Sequence, residues 1–248
     1  MIDKDALLSD VIDVDIGNTY IKWRQGLAGP VDRQLTASLL TIGWQCHAQQ
    51  VTRVRVASVA DDKVNETFNR QVMKRWAITP EFAVVTHHVA GVKPCYTDLR
   101  RLGVDRWLAM VAAFSSLNGA CVVVSAGSAL TADWLDERGQ HLGGLIAPGR
   151  QRLVASLHRD LARVLHSADL PALEQRNGLG QNTESCSAAG VRVLLSGFMA
   201  EVINRNTAPI WLAGGDTDAM LSVCHDKDKH RVKTVNNMVL DGLAIALP

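Results

Sequence analysis

An α/β fold built twice is the architecture the sequence predicts, on three observations. Runs rich in β-branched residues alternate with helical periods along the whole chain. The stretch "VDIGNTYIKW" (Val14–Trp23) has a counterpart 110 residues later, "VSAGSALTADW" (Val124–Trp134). The 248 residues are 47% hydrophobic with no linker-like or low-complexity stretch, so the chain can bury a sizeable core.

The elements follow in order. Val11–Ile16 is an apolar strand that carries an acid just before its end. Ile21–Arg24 returns after a glycine turn, and Gln25–Arg33 reads as irregular. Val51–Val59 is a third strand. In "DKVNETFNRQVMKRW" (Asp62–Trp76), Val64, Phe68, Val72 and Trp76 recur at fourfold spacing, which predicts a helix. Phe82–Thr86 reads as a strand, His87–Tyr96 as irregular, and Thr97–Leu117 as a long helix with an apolar second half. Ala120–Ser125 and Leu130–Leu135 form the second hairpin, and Leu142–Ile146 is another strand. Arg150–His166 and Glu184–Arg205 are helices, Pro209–Ala213 a strand, and His225–Lys233 irregular.

Composition excludes some classes. The net charge is +1 and the pI near 7.7, so no global attraction to nucleic acid or an anionic membrane is expected. The N-terminal "MIDKDALLSD" is acidic and lacks the charged and apolar regions of a signal peptide. No uninterrupted apolar run approaches the roughly 18 to 20 residues of a membrane span. Five scattered cysteines without a CxxC pair argue against a disulfide framework or zinc site and fit a reducing cytoplasm.

The two glycine turns suggest chemistry. Gly17 and Gly127 let backbone N–H groups approach a ligand. With Asn18, Thr19 and Ser128 they would make an anion cradle suited to a triphosphate. Asp15 would then face phosphate, a repulsion that Mg²⁺ relieves, and Lys22 adds a positive charge. Either turn alone is equally well an ordinary β-hairpin.

"DIGNT" (Asp15–Thr19) resembles the first phosphate motif of the type III pantothenate kinases, in the actin/hexokinase/Hsp70-like superfamily. "LGVDRW" (Leu102–Trp107) is similar to that family's G-x-D-R motif, "AGSALTAD" (Ala126–Asp133) to its second phosphate motif, and "GGLIAPG" (Gly143–Gly149) to its G-G-x-I-x-P-G. Weaker echoes are "NTESCSAAG", "WLAGGD" and "LDGL". The resemblance spans nearly the whole chain. It implies a duplicated actin-like (ribonuclease H-like) α/β fold with an interdomain cleft, divided into halves 1–117 and 118–248, the second carrying the contacts of a homodimer. It also implies ATP-dependent phosphorylation of pantothenate in a cytoplasmic enzyme, the first committed step toward coenzyme A. The cofactors implied are Mg²⁺ and a monovalent cation, K⁺ or NH₄⁺. No nucleic-acid or membrane partner is expected.

Under that resemblance ATP is held by Asp15, Ile16, Gly17, Asn18, Thr19, Tyr20, Ile21, Lys22 and Ser128. The substrate is held by Tyr96, Gly103, Val104, Asp105, Arg106 and Thr183, with Asp105 as the base that accepts the hydroxyl proton. Plainer readings stand beside these. Asp105 could be a helix-start acid paired with Arg106, Tyr96 a packing residue, and Thr183 a helix N-cap. The sequence departs from the family at Ser125, where the second motif usually has the Asp that holds the monovalent cation. Serine is a weaker, neutral ligand, so a weakened cation site is expected there. That departure leaves open a non-catalytic regulator of the same fold, or another small-molecule kinase of the superfamily. "CHDKDKH" (Cys224–His230) lacks zinc spacing and reads as a solvated loop, as does His87–His88. Asp13, two residues before Asp15, reads either as part of the cleft mouth or as the exposed face of an edge strand, the latter preferred.

Overall fold

The computed structural model describes residues 10–160 and 179–248, with side chains for all of these except 158–160. It contains two five-stranded sheets. The first runs β3 (Asp32–Leu35), β2 (Tyr20–Gln25), β1 (Val11–Ile16), β4 (Arg53–Ser58), β5 (Glu81–Phe82). The second runs β8 (His141–Pro148), β7 (Ala129–Leu135), β6 (Cys121–Ala126), β9 (Ile210–Ala213), β10 (Val232–Thr234). Adding five to each strand number of the first order yields the second. The pairings repeat as well: β1 is antiparallel to β2 and parallel to β4, and β6 is antiparallel to β7 and parallel to β9. The duplication expected from the two hairpins therefore extends to whole sheets.

The helices keep the repeat. Helix α1 (Asp62–Trp76) joins β4 to β5, as α5 (Thr217–Val223) joins β9 to β10. Helix α2 (Val104–Leu117) follows β5, as α6 (Met238–Ala246) follows β10. The second half adds α3 (Arg150–Asp160) and α4 (Thr183–Arg205) between β8 and β9, where the first half has a 3-10 turn at Thr36–Leu40.

Sequence explains the best-defined elements. The fourfold stripe of α1 buries Val64, Phe68 and Val72 against Ile12, Val14, Val54 and Val56. Asp61 caps its start by accepting from the Val64 N–H at 2.9 Å, and Ala77 ends it with φ of +57°. The expected helix from Thr97 instead begins at Val104, after a 3-10 turn over Leu99–Arg101, because Gly103 is the N-cap. The expected strand Phe82–Thr86 is reduced to Glu81–Phe82. Strands β3 and β10 and helices α5 and α6 were not legible: each is short, and none alternates or repeats for long enough to show a period. The expected extension of α3 to His166 lies outside the described residues.

Asp13 requires a correction. Strand β1 is the central strand of its sheet, and Asp13 is 1% exposed. In register it lies opposite Arg24 on one side and Arg55 on the other. Its carboxylate takes Arg55 Nε at 2.7 Å and Arg24 Nε at 3.3 Å. Arg24 Nη1 reaches on to Asp241 at 2.5 Å, and Arg55 Nη1 donates to the Leu247 carbonyl at 2.7 Å. The acid is an anchor for α6, and removing one member of such a buried group typically costs about 3–5 kcal/mol.

That anchor also moves the domain boundary. The chain divides into one compact unit of residues 1–119, 137–141 and 237–248 and another of 120–136 and 142–236. A single cut after residue 117 is thus replaced by several crossings. The C-terminal helix belongs to the first unit because it packs on α2: a Cβ on Gly242 would lie 1.9 Å from the Leu108 carbonyl oxygen. Only glycine permits that approach.

In the second unit, α4 buries Val191, Leu195, Met199, Val202 and Ile203 in the core around β6, β7 and β9. By length and composition it could cross a membrane, but these contacts and its Arg192 and Glu201 make it a core helix of this unit. Val193 and Leu194 remain 62% and 58% exposed.

Candidate active site

The β1–β2 hairpin sets one end of the site. Its turn closes with the Gly17 N–H donating to the Tyr20 carbonyl at 3.0 Å. Thr36 buttresses it, its hydroxyl donating to the Gly17 carbonyl at 2.7 Å and its N–H to the Thr19 carbonyl at 2.9 Å. Ile16 and Ile21 are buried beneath, leaving Asn18 and Tyr20 exposed above. The Arg33 guanidinium lies over the Tyr20 ring, 5.2 Å from its centroid.

Asp15 and Lys22 are direct cross-strand partners in this hairpin. Burial pushes the Asp15 carboxyl up to about 6; the Lys22 charge pulls it down, and Asp105 pushes it further up. So Asp15 and Asp105, ninety residues apart in sequence, share one electrostatic environment.

Asp105 sits in the first turn of α2, where the helix dipole favours a negative charge. Its Oδ1 accepts from the Arg106 N–H at 2.8 Å and folds over Gly103, where a Cβ would lie 2.6 Å from it. Any side chain at Gly103 would displace the carboxylate. Arg106 is 6% exposed and donates from Nη1 to the Tyr96 hydroxyl at 3.1 Å. Val104 is buried behind the motif. The structure thus brings together Asp15, Lys22, Gly103, Asp105, Arg106 and Tyr96 in the first unit.

The second hairpin repeats the turn: the Gly127 N–H donates to the Ala129 carbonyl at 3.0 Å, and Ser128 follows. Two further glycine segments close around it. A Cβ on Gly149 would lie 1.9 Å from the Gly127 oxygen, and one on Gly214 would lie 2.1 Å from the Ala126 oxygen. Gly214 also has φ of +114°. The "GGLIAPG" and "AGGD" motifs therefore belong to the same cradle in the second unit.

Ser125 pairs across the β6–β7 ladder with Thr131, whose hydroxyl oxygen is buried without a hydrogen-bond partner. Two neutral hydroxyls, one of them unspent, suit a weakly held monovalent cation. A hard divalent cation suits Asp15 better, since the acid carries burial and a neighbouring negative charge that Lys22 only partly offsets. Among the described residues there is no cluster of three or more His, Cys, Asp or Glu arranged to hold a metal; the segment expected as a loop at Cys224–His230 contains a 3-10 helix over Asp226–Arg231 with no buried residue.

Thr183 belongs to the second unit. It is the first residue of α4, and the N-cap is Asn182, whose side chain accepts from the Ser185 N–H at 2.8 Å. Its hydroxyl is thus not needed as the cap. It is exposed at an open apolar groove of about 690 Å³, with Leu153, Leu157, Cys186, Gly190 and Leu194.

Three side chains escaped the sequence reading. His141 is 1% exposed and stacks on Tyr96 at 6.0 Å with 7° between the rings. Asp216 has its carboxyl raised by burial, with Arg150 Nη1 3.9 Å away. Arg150 has a buried Nε without a partner. His141 and Arg150 adjoin recognised motifs and Asp216 ends "WLAGGD", but a single residue carries no periodic or spacing signal of its surroundings.

Known proteins resemble this chain in sequence and in fold. Residues 11–205 match the family model of type III pantothenate kinases. A type III pantothenate kinase of Saccharophagus degradans is 35% identical over 251 residues, covering 94% of this chain and 96% of that protein. Among solved structures, a Campylobacter jejuni protein assigned to the Baf family of transcriptional activators aligns with a TM-score of 0.61 at 18% identity, covering 95% and 96% of the two chains. A Sinorhizobium meliloti protein assigned as a 2-dehydro-3-deoxygalactonokinase aligns with a TM-score of 0.60 at 13% identity, covering 95% and 97%. The two structural likenesses show the fold alone, and the fold is the duplicated α/β architecture described above.

Proposed function

The chain belongs to the type III pantothenate kinase family, and from that premise we propose how its residues phosphorylate pantothenate with ATP, the first step toward coenzyme A. The observation that carries the reading is the grouping of Asp15, Lys22, Asp105 and Arg106 in one unit. That is an acid for a cation, a lysine for phosphate, a second acid for a proton and a guanidinium for a substrate anion. Asp105 accepts the proton of the substrate's primary hydroxyl as its oxygen attacks the γ-phosphorus; the bond to the bridging oxygen breaks and ADP leaves. Arg106, bonded to the Tyr96 hydroxyl, offers a planar fork of donors for the substrate's carboxylate. Gly103 and Val104 hold that helix start in place. The backbone and side-chain donors of Asn18, Thr19 and Ser128 receive phosphate oxygens, the Gly17 N–H being held by the Tyr20 carbonyl. Mg²⁺ at Asp15, bound directly or through water, would neutralise charge on the phosphates.

The test is an ATP-dependent phosphorylation assay with pantothenate against a panel of sugars and acetate. Pantothenate is expected to be the accepted substrate. Turnover of a sugar or acetate instead, or of nothing, would overturn the reading.

Ser125 and Thr131 are proposed to hold K⁺ or NH₄⁺ weakly. Ser125→Asp is expected to shift half-activation to lower K⁺ by roughly 5- to 150-fold, the equivalent of about 1–3 kcal/mol for one charge-assisted contact. Initial rates against KCl at constant ionic strength, with choline chloride as balance, measure it. Full activity of both proteins without K⁺ or NH₄⁺ would remove the site.

A homodimer through the second unit is proposed from α4. Its Val193 and Leu194 are large apolar side chains that stay exposed, on a helix whose other face is buried in the core of the second unit. Thr183 would serve the substrate in that assembly. Sedimentation equilibrium at micromolar concentration is expected to give twice the 26.9 kDa chain mass; a monomer counts against it.

A further inference from the structure

Cys95 lies in the loop just before Tyr96, and the loop is not loose. The Lys93 N–H donates to the Gly139 carbonyl and the His141 N–H to the Lys93 carbonyl, both at 2.9 Å. Gly91 and Gly139, with φ of +89° and +74°, let the two segments touch: a Cβ on Gly139 would lie 2.2 Å from the Gly91 oxygen. This pinning sets the Cys95 Sγ 3.4 Å from His141 Nδ1. The imidazole is buried and stacked on Tyr96, while Cys95 is exposed. An exposed thiol held against a rigid imidazole has a proton acceptor and an open path for a reagent.

The other cysteines differ. Cys46, Cys121 and Cys224 are buried, and burial raises each thiol, Cys121 to about 12. Cys186 is exposed in the first turns of α4.

We propose that Cys95 is a covalent modification site for low-molecular-weight disulfides, and that the adduct keeps substrate from the neighbouring Tyr96 and Arg106. His141 Nδ1 takes the Cys95 proton, and the thiolate sulfur attacks one sulfur of the disulfide. A new S–S bond forms as the old one breaks, and the departing thiolate recovers the proton from the imidazolium. One thiol and one disulfide become a mixed disulfide and a thiol, with no other oxidant. The exclusion rests on the substrate reading of Tyr96 and Arg106; the reactivity does not.

The experiment treats the full-length protein with millimolar glutathione disulfide and follows each cysteine by peptide mass mapping, alongside pantothenate phosphorylation. Cys95 is expected to react about 10-fold faster than Cys186, and pantothenate is expected to slow it. His141→Gln should bring the Cys95 rate down to that of Cys186, with continued protection of Cys46 and Cys121 reporting an intact fold. Modified protein should lose pantothenate turnover and regain it with dithiothreitol, while Cys95→Ser keeps turnover and ignores the disulfide. Equal rates at Cys95 and Cys186 in the unmutated protein would overturn the site even if His141→Gln fails to fold. Fast modification with unchanged turnover would overturn the exclusion. Unmodified protein inactive on pantothenate would instead overturn the functional reading and leave the rate ratio standing.

Discussion

Asp105→Asn is expected to leave the fold intact and to lower turnover by at least about 10²-fold. The two side chains have the same shape. The Asn oxygen can still accept from the Arg106 N–H, the 2.8 Å contact that orients the group over Gly103. What is lost is the ability to take a proton and the charge that makes taking it favourable. Because Arg106 and Tyr96 are untouched, KM for pantothenate should change far less than kcat. Steady-state kinetics with pantothenate and ATP, beside a thermal melt, make the measurement. A variant with near-normal kcat would falsify the assignment and restore the plain reading of Asp105 as a helix-start acid.

Asp15→Asn should abolish activity to a similar degree and yet make the metal-free protein more stable. Burial pushes the folded carboxyl up to about 6 from an ordinary 3.8. Between those values the folded state holds more protons than the unfolded state, so stability falls as pH rises through that window. The favourable contribution of the neutral acid is fully present below about 3.8 and lost above about 6. A shift of this size corresponds to about 3 kcal/mol at most. Asparagine removes the charge, so the variant should exceed the wild type by about 1–3 kcal/mol at pH 8, with the gap narrowing toward pH 4. Urea denaturation at both pH values, in EDTA, reads it out. A less stable variant at pH 8 would mean the charged form is satisfied by its own neighbours.

The sequence by itself determined the parts of this protein that repeat or that have a strict local requirement. The hairpin with Asp15 and Gly17 and its counterpart at Gly127 were legible because a glycine turn between β-branched runs is local chemistry. Helix α1 was legible residue for residue because its stripe needs only its own spacing. The helix carrying "GVDR" was legible but its start was not, Thr97 being expected where the structure has Val104; the glycine is explained by the carboxylate folded over it. Only the tertiary structure decided what depends on partners distant in the chain. Asp13 and Asp15 look alike in sequence, two positions apart on one face. The first lies between Arg24 and Arg55 because β1 has neighbours on both sides, and the second sits at the strand's end within range of Asp105. Helix α6 belongs with the first sheet because Gly242 meets α2 and Asp241 meets Arg24. Cys95 and His141 lie 46 positions apart, and nothing at either position foretells the other. A local pattern records the conformation of its own backbone; the charge and packing at a site depend on which strands and helices are neighbours, and that is set by long-range pairing.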